Sequence, residues 1–279
     1  MPEGPEIKRM ADSLSKTIKK KKIVSAQFLY PTIHTLNGLK DISVVDVLAK
    51  GKTIIIRLGN QNSIITHNQL YGKWTVNYLK TKIKHNRKLR IEFNTEKKAA
   101  RLWSATDITL LKSKMEDRHH YLKNLGPDIL SDSTSKDDVI ERLRSKSYFN
   151  KNLGGSLLNQ NFIAGLGNYL RSEILFFSGL LPTIRPKELN YLQTVKLSEA
   201  IKVISVRAYK QKGNTIDQEE FSDRFGNIYN FRLIRHMVFN RENQPCFYCG
   251  DTVKNFFKVL GDIIIVELAK PSTSIFIVS

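Results

Sequence analysis

The stretch Leu125-Gly126-Pro127-Asp128 divides the chain into two kinds of sequence. Ahead of it, short runs rich in Val, Ile, Thr and aromatic residues recur at 23–30, 42–48, 53–58, 73–79, 88–93 and 99–104. Turn clusters such as Leu58-Gly59-Asn60-Gln61-Asn62 separate them, the pattern of a β-sandwich or barrel. Beyond it the strand signal stops, and residues 137–143, 155–161, 168–177 and 192–209 take helical spacing. A Gly-Pro pair is strong punctuation, so one domain is predicted over 1–125 and a second over 126–222. From Phe225 onward short strand-like runs return around Pro245-Cys246-Phe247-Tyr248-Cys249-Gly250. Residues 223–279 therefore read as a separate β-hairpin, and the fold class is α+β. At the other end, residues 5–20 place Ile7, Met10, Ala11, Leu14 and Ile18 on one helical face, with Glu3 and Glu6 near the start, where the helix dipole favours carboxylates.

The 279 residues are 41% hydrophobic and 25% charged, which excludes a disordered chain. No apolar run reaches the roughly 18 residues that span a bilayer, and the first residues lack the order of a signal peptide. A cytoplasmic, nucleoid-associated monomer is the expectation, with no membrane partner. A net charge of +19 points to a polyanion. Residues 19–22, the group Lys80, Lys82, Lys84 and Arg87, and the pair Arg232 and Arg235 each suit a solvated face when taken singly. Spread over the whole chain, they favour nucleic acid. The two cysteines, Cys246 and Cys249, form one C-x-x-C, half of a four-ligand zinc site.

Met1-Pro2 is a start that aminopeptidases trim, because Pro2 is small. Trimming leaves a secondary amine, and an α-amino group titrates near 7.7–8.0, roughly two units below lysine. Such an amine is partly neutral at physiological pH and can attack carbon to form an iminium. Glu3 and Glu6 can then serve as acid or base. Taken alone, these residues describe an ordinary helix start better than a reactive site.

They do not stand alone. Met1-Pro2-Glu3-Gly4-Pro5-Glu6-Ile7 resembles the opening of the Fpg/Nei family of DNA glycosylases, on its endonuclease VIII side. Gly51-Lys52, His67-Asn68-Gln69-Leu70-Tyr71-Gly72 with Trp74, Leu125-Gly126-Pro127-Asp128 and Gly165-Leu166-Gly167-Asn168-Tyr169-Leu170-Arg171 with Glu173 follow in the family's order. Cys246-x-x-Cys249-Gly250 completes the series, so that the resemblance runs from residue 1 to about 261. It implies an N-terminal β-sandwich, a helix–two-turns–helix domain and a zinc β-hairpin finger. It implies Pro2 as nucleophile, Glu3 as the acid that opens the sugar, Glu6 in support and Lys52 as a catalytic lysine. It implies Gln69, Leu70 and Tyr71 filling the space of an extruded nucleotide, whose loss of stacking apolar wedges offset. Asn168 and Arg171 would clamp phosphate at a helix start. The implied activity is bifunctional: excision of an oxidised base, with pyrimidines preferred, then β,δ-elimination on double-stranded DNA. An oxidised-purine enzyme of the same family and a non-catalytic binder of damaged DNA are the alternatives.

The finger departs from the family, whose members carry a second C-x-x-C and a Gln there. After Gly261 this chain reads Asp262-Ile-Ile-Ile-Val-Glu-Leu-Ala-Lys-Pro271. Two cysteines are too few for a structural zinc, and His236 lacks metal-ligand spacing to Cys246. One codon choice for residues 262–271, read two nucleotides later, gives Tyr-Tyr-Tyr-Cys-Arg-Thr-Cys-Gln-Thr. The missing motif and the Gln return together, so residues 262–279 read either as the product of one lost nucleotide or as a genuine zincless finger. As written, 262–279 carry a net charge of −1 and two apolar runs. Weakened DNA binding and reduced activity are the expectation.

Overall fold

A computed structural model describes residues 1–225, 234–255 and 264–266. The chain divides into two compact units, Met1–Asp138 with Asn159–Leu166, and Val139–Leu158 with Gly167–Ser279.

The first unit opens with α1 (Gly4–Ile18) and continues through β1 (Ser25–Phe28), β2 (Val44–Lys50), β3 (Thr53–Leu58), β4 (Asn62–His67), β5 (Lys73–Tyr78), β6 (Leu89–Asn94), β7 (Lys98–Trp103) and β8 (Asp107–Lys112). Two antiparallel sheets form, in the orders β1-β6-β7-β5 and β2-β3-β4-β8. Ile7, Ala11, Leu14 and Ile18 of α1 share one core with Phe28, Ile54, Ile56, Ile64, Trp74, Phe93 and Leu102. Burying each Ile, Leu or Phe among them contributes about 1.5–3 kcal/mol. The Trp74 indole N–H is satisfied within that core by Thr66 Oγ1 at 3.2 Å.

Strands β4 and β8 are not anticipated by the sequence pattern. In β4, Ser63, Ile64, Ile65 and Thr66 are all buried, so the strand has no polar face to mark its period of two. Ile64 faces the main core, while Ile65 joins Ile55 and Leu122 in a second cluster on the other side.

The second unit holds α3 (Leu153–Ser156), α4 (Asn168–Ser178), α5 (Tyr191–Lys210), α6 (Gln218–Phe225), β9 (Val253–Asn255) and β10 (Ile264–Val266), while α2 (Lys136–Arg144) crosses the division between units. α4 is buried almost all round, from Tyr169 to Leu175, and ends at Gly179 in the left-handed region at φ 68°. The buried Glu173 carboxylate accepts the backbone N–H of Met237 and Val238 at 2.8 Å and of Phe239 at 3.0 Å, and the Thr215 hydroxyl at 2.7 Å. The segment leading to the hairpin is thus tied to α4. β9 and β10 pair antiparallel, as the expected C-terminal hairpin requires.

Two expectations need correction. The helix expected over 155–161 is one short turn, Leu153–Ser156, because residues 159–166 return to the first unit. There Asp128 pairs with Ala164, the Gly126 N–H bonds Gln160 O at 2.9 Å, and the Ala164 N–H bonds Pro127 O at 2.9 Å. α6 was not expected at all. The apolar run at 275–278 lies outside the described residues.

Candidate active site

The N-terminal segment is held by backbone geometry. Glu3 precedes α1 in an extended conformation, with φ −102° and ψ −177°. Its N–H is accepted by Glu6 Oε2 at 3.1 Å, and Glu6 Oε1 pairs with Arg9 at 3.0 Å. Glu6 is therefore a fixed support for the turn that carries Pro2 and Glu3. The Gly4 N–H donates to Gly165 O at 2.8 Å. A Cβ on Gly4 would lie 2.9 Å from Gly165 Cα, so only glycine permits this approach. Gln160 holds the other side of the contact: its Oε1 accepts the Gly165 N–H at 3.0 Å and its Nε2 donates to Leu166 O at 2.9 Å. Pro2 is half-buried and Glu3 only 4% exposed.

Lys52 sits on the tight turn between β2 and β3, whose first central residue, Gly51, has φ 58°. The Gly51 N–H donates to Asp128 Oδ2 at 2.7 Å, and Asp128 Oδ1 accepts the Leu130 N–H at 2.9 Å. Burial pulls the Lys52 ammonium below the ordinary lysine range, and the charge of Glu3 opposes that shift. That coupling brings the Pro2-Glu3 and Gly51-Lys52 motifs into one electrostatic site. A lysine so placed is easier to deprotonate, which general acid–base work requires.

Beside it, the β4–β5 connection carries Gln69, Leu70 and Tyr71. Leu70 and Tyr71 are 70% and 68% exposed, large apolar groups held in water. The loop is closed by the Gly72 N–H on Asn68 O at 2.7 Å, and a Cβ on Gly72 would meet that oxygen at 2.5 Å. Gln69 adopts φ 48°, a conformation that side chains other than glycine seldom take. Sequence reasoning missed the residues that hold it there. The Gln69 N–H donates to His67 Nδ1 at 3.1 Å, Thr106 donates to Gln69 Oε1 at 2.7 Å, and Asp107 accepts from its amide at 3.5 Å. His67 in turn stacks on Tyr121 at 4.4 Å, and burial lowers its pKa, keeping the ring neutral. Only His67 carried a signal, as part of the quoted loop motif.

Asp107, His119 and His120 come within 4.8 Å of one another. Both ring nitrogens of His119 are engaged, Nδ1 by the Tyr121 N–H at 3.3 Å and Nε2 by Thr109 at 3.2 Å. The buried ring therefore offers no free lone pair to a metal.

In the second unit, Asn168 is the first residue of α4 and is exposed, as a phosphate contact requires. Arg171 departs from expectation. It is fully buried within α4 rather than displayed on its surface, because this helix is a core element without a solvent face.

Two domain families match the chain: the formamidopyrimidine-DNA glycosylase N-terminal domain over residues 1–107, and the formamidopyrimidine-DNA glycosylase H2TH domain over residues 125–220. The chain is 36% identical over 255 residues to an Endonuclease 8 of Escherichia coli O9:H4, covering 91% of this chain and 94% of the relative.

The chain belongs to the Fpg/Nei family.

An Endonuclease 8 of Shigella sonnei has the same identity and coverage. Among solved structures, Lactococcus lactis Fpg bound non-covalently to DNA containing an AP site superposes with a TM-score of 0.74 at 19% identity, covering 95% of this chain and 98% of that one. The same enzyme in complex with DNA containing an oxidised pyrimidine gives 0.75 at 20%, with the same coverage. These likenesses establish the Fpg/Nei fold.

The finger does not fit the zinc site that the family resemblance implies. Cys246 is buried and Cys249 exposed, and among the described residues no group of three potential ligands includes them. His236 is engaged elsewhere, with Nδ1 3.2 Å from the Thr215 hydroxyl and its ring against Tyr169. Although the residue is exposed, partial burial of the Cys249 thiol, with Cys246 alongside, pushes it up to about 11, so it is protonated at neutral pH. The base of the Fpg/Nei finger is held here by apolar packing instead, with Cys246, Val253, Met237, Val238 and Phe221 in one cluster. Arg241 lies 3.3 Å from the centre of the Phe247 ring and bonds Pro245 O at 2.7 Å.

Proposed function

We propose that the protein is a bifunctional DNA glycosylase and AP lyase that removes oxidised bases, pyrimidines by preference, from double-stranded DNA. The observation that carries this reading is the placing of half-buried Lys52 within the field of buried Glu3, the residue that follows Pro2. Removal of Met1 frees the Pro2 amine. Its lone pair bonds to the sugar C1′ as the base departs with the electron pair of the glycosidic bond and takes up a proton. Glu3 protonates the ring oxygen, the sugar opens, and loss of the nitrogen proton leaves an iminium. Abstraction of a C2′ proton then expels the 3′ phosphate, and a second proton loss expels the 5′ phosphate. Lys52 moves protons at the sugar, for which its lowered pKa suits it. Glu6, bonded to the Glu3 N–H, positions that turn.

Gln69, Leu70 and Tyr71 fill the space left where the base is withdrawn. Asn168 holds phosphate at the start of α4, while buried Arg171 braces that helix start. Residues 262–279, with their net charge of −1, weaken the finger's share of DNA binding.

Borohydride reduction during turnover tests the reading. A trapped adduct is expected on a duplex with one oxidised pyrimidine, mapped to Pro2 by mass spectrometry and absent from protein that retains Met1. A trapped adduct on any other residue sinks it. Comparison with an oxidised-purine duplex settles the lesion preference.

A further inference from the structure

Residues 79–88 contain five Lys and Arg residues, Lys80, Lys82, Lys84, Arg87 and Lys88, and no Asp or Glu. All five are exposed. Among the described residues, none of them forms an ion pair. Like charges this close repel, so the folded protein gains nothing from the row by itself.

Topology makes the row a line rather than a tuft. β5 and β6 lie on either side of β7 and are both antiparallel to it, so they run parallel to each other. The chain leaves β5 at Tyr78, opposite Lys98, and must enter β6 at Leu89, opposite Trp103. Residues 79–88 therefore travel back along the length of β7, about 17 Å at 3.3 Å per residue. Exposed Lys97 and Lys98 lie at one end of that path. At the other end the loop is anchored. His85 packs edge-on against Trp103 at 4.6 Å, Lys88 and Ser104 exchange hydrogen bonds, and the Arg87 guanidinium donates to Tyr71 O. The row thus ends at the backbone of the residue proposed to enter the duplex.

We infer that residues 79–88 form a phosphate track, which grips the duplex flanking the lesion on the side of Tyr71. This rests on the reading of Leu70 and Tyr71 as the inserted wedge. One strand of B-DNA presents a phosphate every 3.4 Å or so of axis, so about five phosphate levels fall along the track. Arg87 has a second duty: it ties the track to the wedge, so that engaging one seats the other.

The test is the salt dependence of binding, on the full chain, to a duplex with one tetrahydrofuran abasic analogue. Lys80→Gln/Lys82→Gln/Lys84→Gln is compared with Lys20→Gln/Lys21→Gln/Lys22→Gln. The control triple loses the same charge from exposed positions after α1, where the Lys20 N–H meets Val44 O rather than the β5–β6 loop. Between about 50 and 200 mM salt, each phosphate contact contributes roughly −0.9 to the slope of log affinity against log salt. The track triple should flatten the slope by ~2–3, and the control triple should leave it near the wild type. Lys82→Glu alone should weaken binding more than Lys21→Glu. Equal slopes for the two triples overturn the track, even where the wild type is trapped by borohydride. Loss of trapping in the wild type, with the slopes still different, sinks the glycosylase reading and leaves the track standing.

Discussion

Asp128 Oδ2 accepts the backbone N–H of Gly51 at 2.7 Å, across 77 residues of chain. The bond fixes the turn that presents Lys52, and Asp128 Oδ1 on Leu130 N–H fixes the carboxylate in turn. Asp128→Ala leaves both N–H groups without their acceptor, a cost of about 1–3 kcal/mol for each group that stays buried. Asp128→Asn keeps one carbonyl oxygen and loses roughly half as much. Thermal melts should rank the two variants in that order. In steady-state assays kcat should fall more than KM rises, because Asp128 touches the lysine turn and not the DNA.

Lys52 is held below the ordinary lysine value of 10.5 by burial. For a base whose folded pKa is depressed, the unfolded chain binds more protons between the folded pKa and 10.5, so stability rises with pH across that window. Below it, the buried ammonium is a standing cost. Lys52→Met removes that cost, so the variant should melt above the wild type at neutral pH. The gap should close as pH approaches the unfolded value. Glu3→Gln removes the opposing charge and should lower the wild-type melting point in the same window. Melting curves across neutral to alkaline pH read this directly, and a gap that does not narrow with pH would refute it.

Leu70 and Tyr71 contribute little to the fold, being 70% and 68% exposed. Alanine at either position should change stability by less than about 0.5 kcal/mol. Excision of a paired oxidised base should drop at least tenfold, since withdrawing a stacked base costs a few kcal/mol. Cleavage at a preformed abasic site should fall much less, because no base remains to be withdrawn. Equal losses on both substrates would mean that the loop serves binding in general.

The two cysteines place the finger base outside zinc chemistry. Purified protein should carry well under one zinc per chain, and EDTA should not shift its melting curve. Genomic reads across codons 262–271 decide between a lost nucleotide and a genuine variant. A restored second C-x-x-C should raise DNA affinity and make stability sensitive to chelator.

Much of this was legible in the sequence, and what was not has a physical reason. β3 was read residue for residue, since Thr53–Leu58 is bounded by turns on both sides. β4 escaped because Ile64 and Ile65 are buried on opposite faces, which erases the alternation that periodicity needs. Lys52, Gln69, Leu70 and Tyr71 were singled out through motif resemblance. Thr106, Asp107 and Tyr121 were not, because they reach Gln69 and His67 from distant segments by side-chain geometry alone. Arg171 misled for the opposite reason: charge normally marks a helix's wet side, and α4 has none.

The bond from Gly4 to Gly165 also has a temporal side. Residues 159–166 belong to the N-terminal unit, yet they are synthesised after everything else in it. A nascent chain cannot latch its own beginning until this return strap has left the ribosome. Through most of translation the Gly4 N–H is therefore without the acceptor it has in the folded unit. The N-terminal unit is therefore complete only after residues 139–158, which belong to the other unit, have also been made.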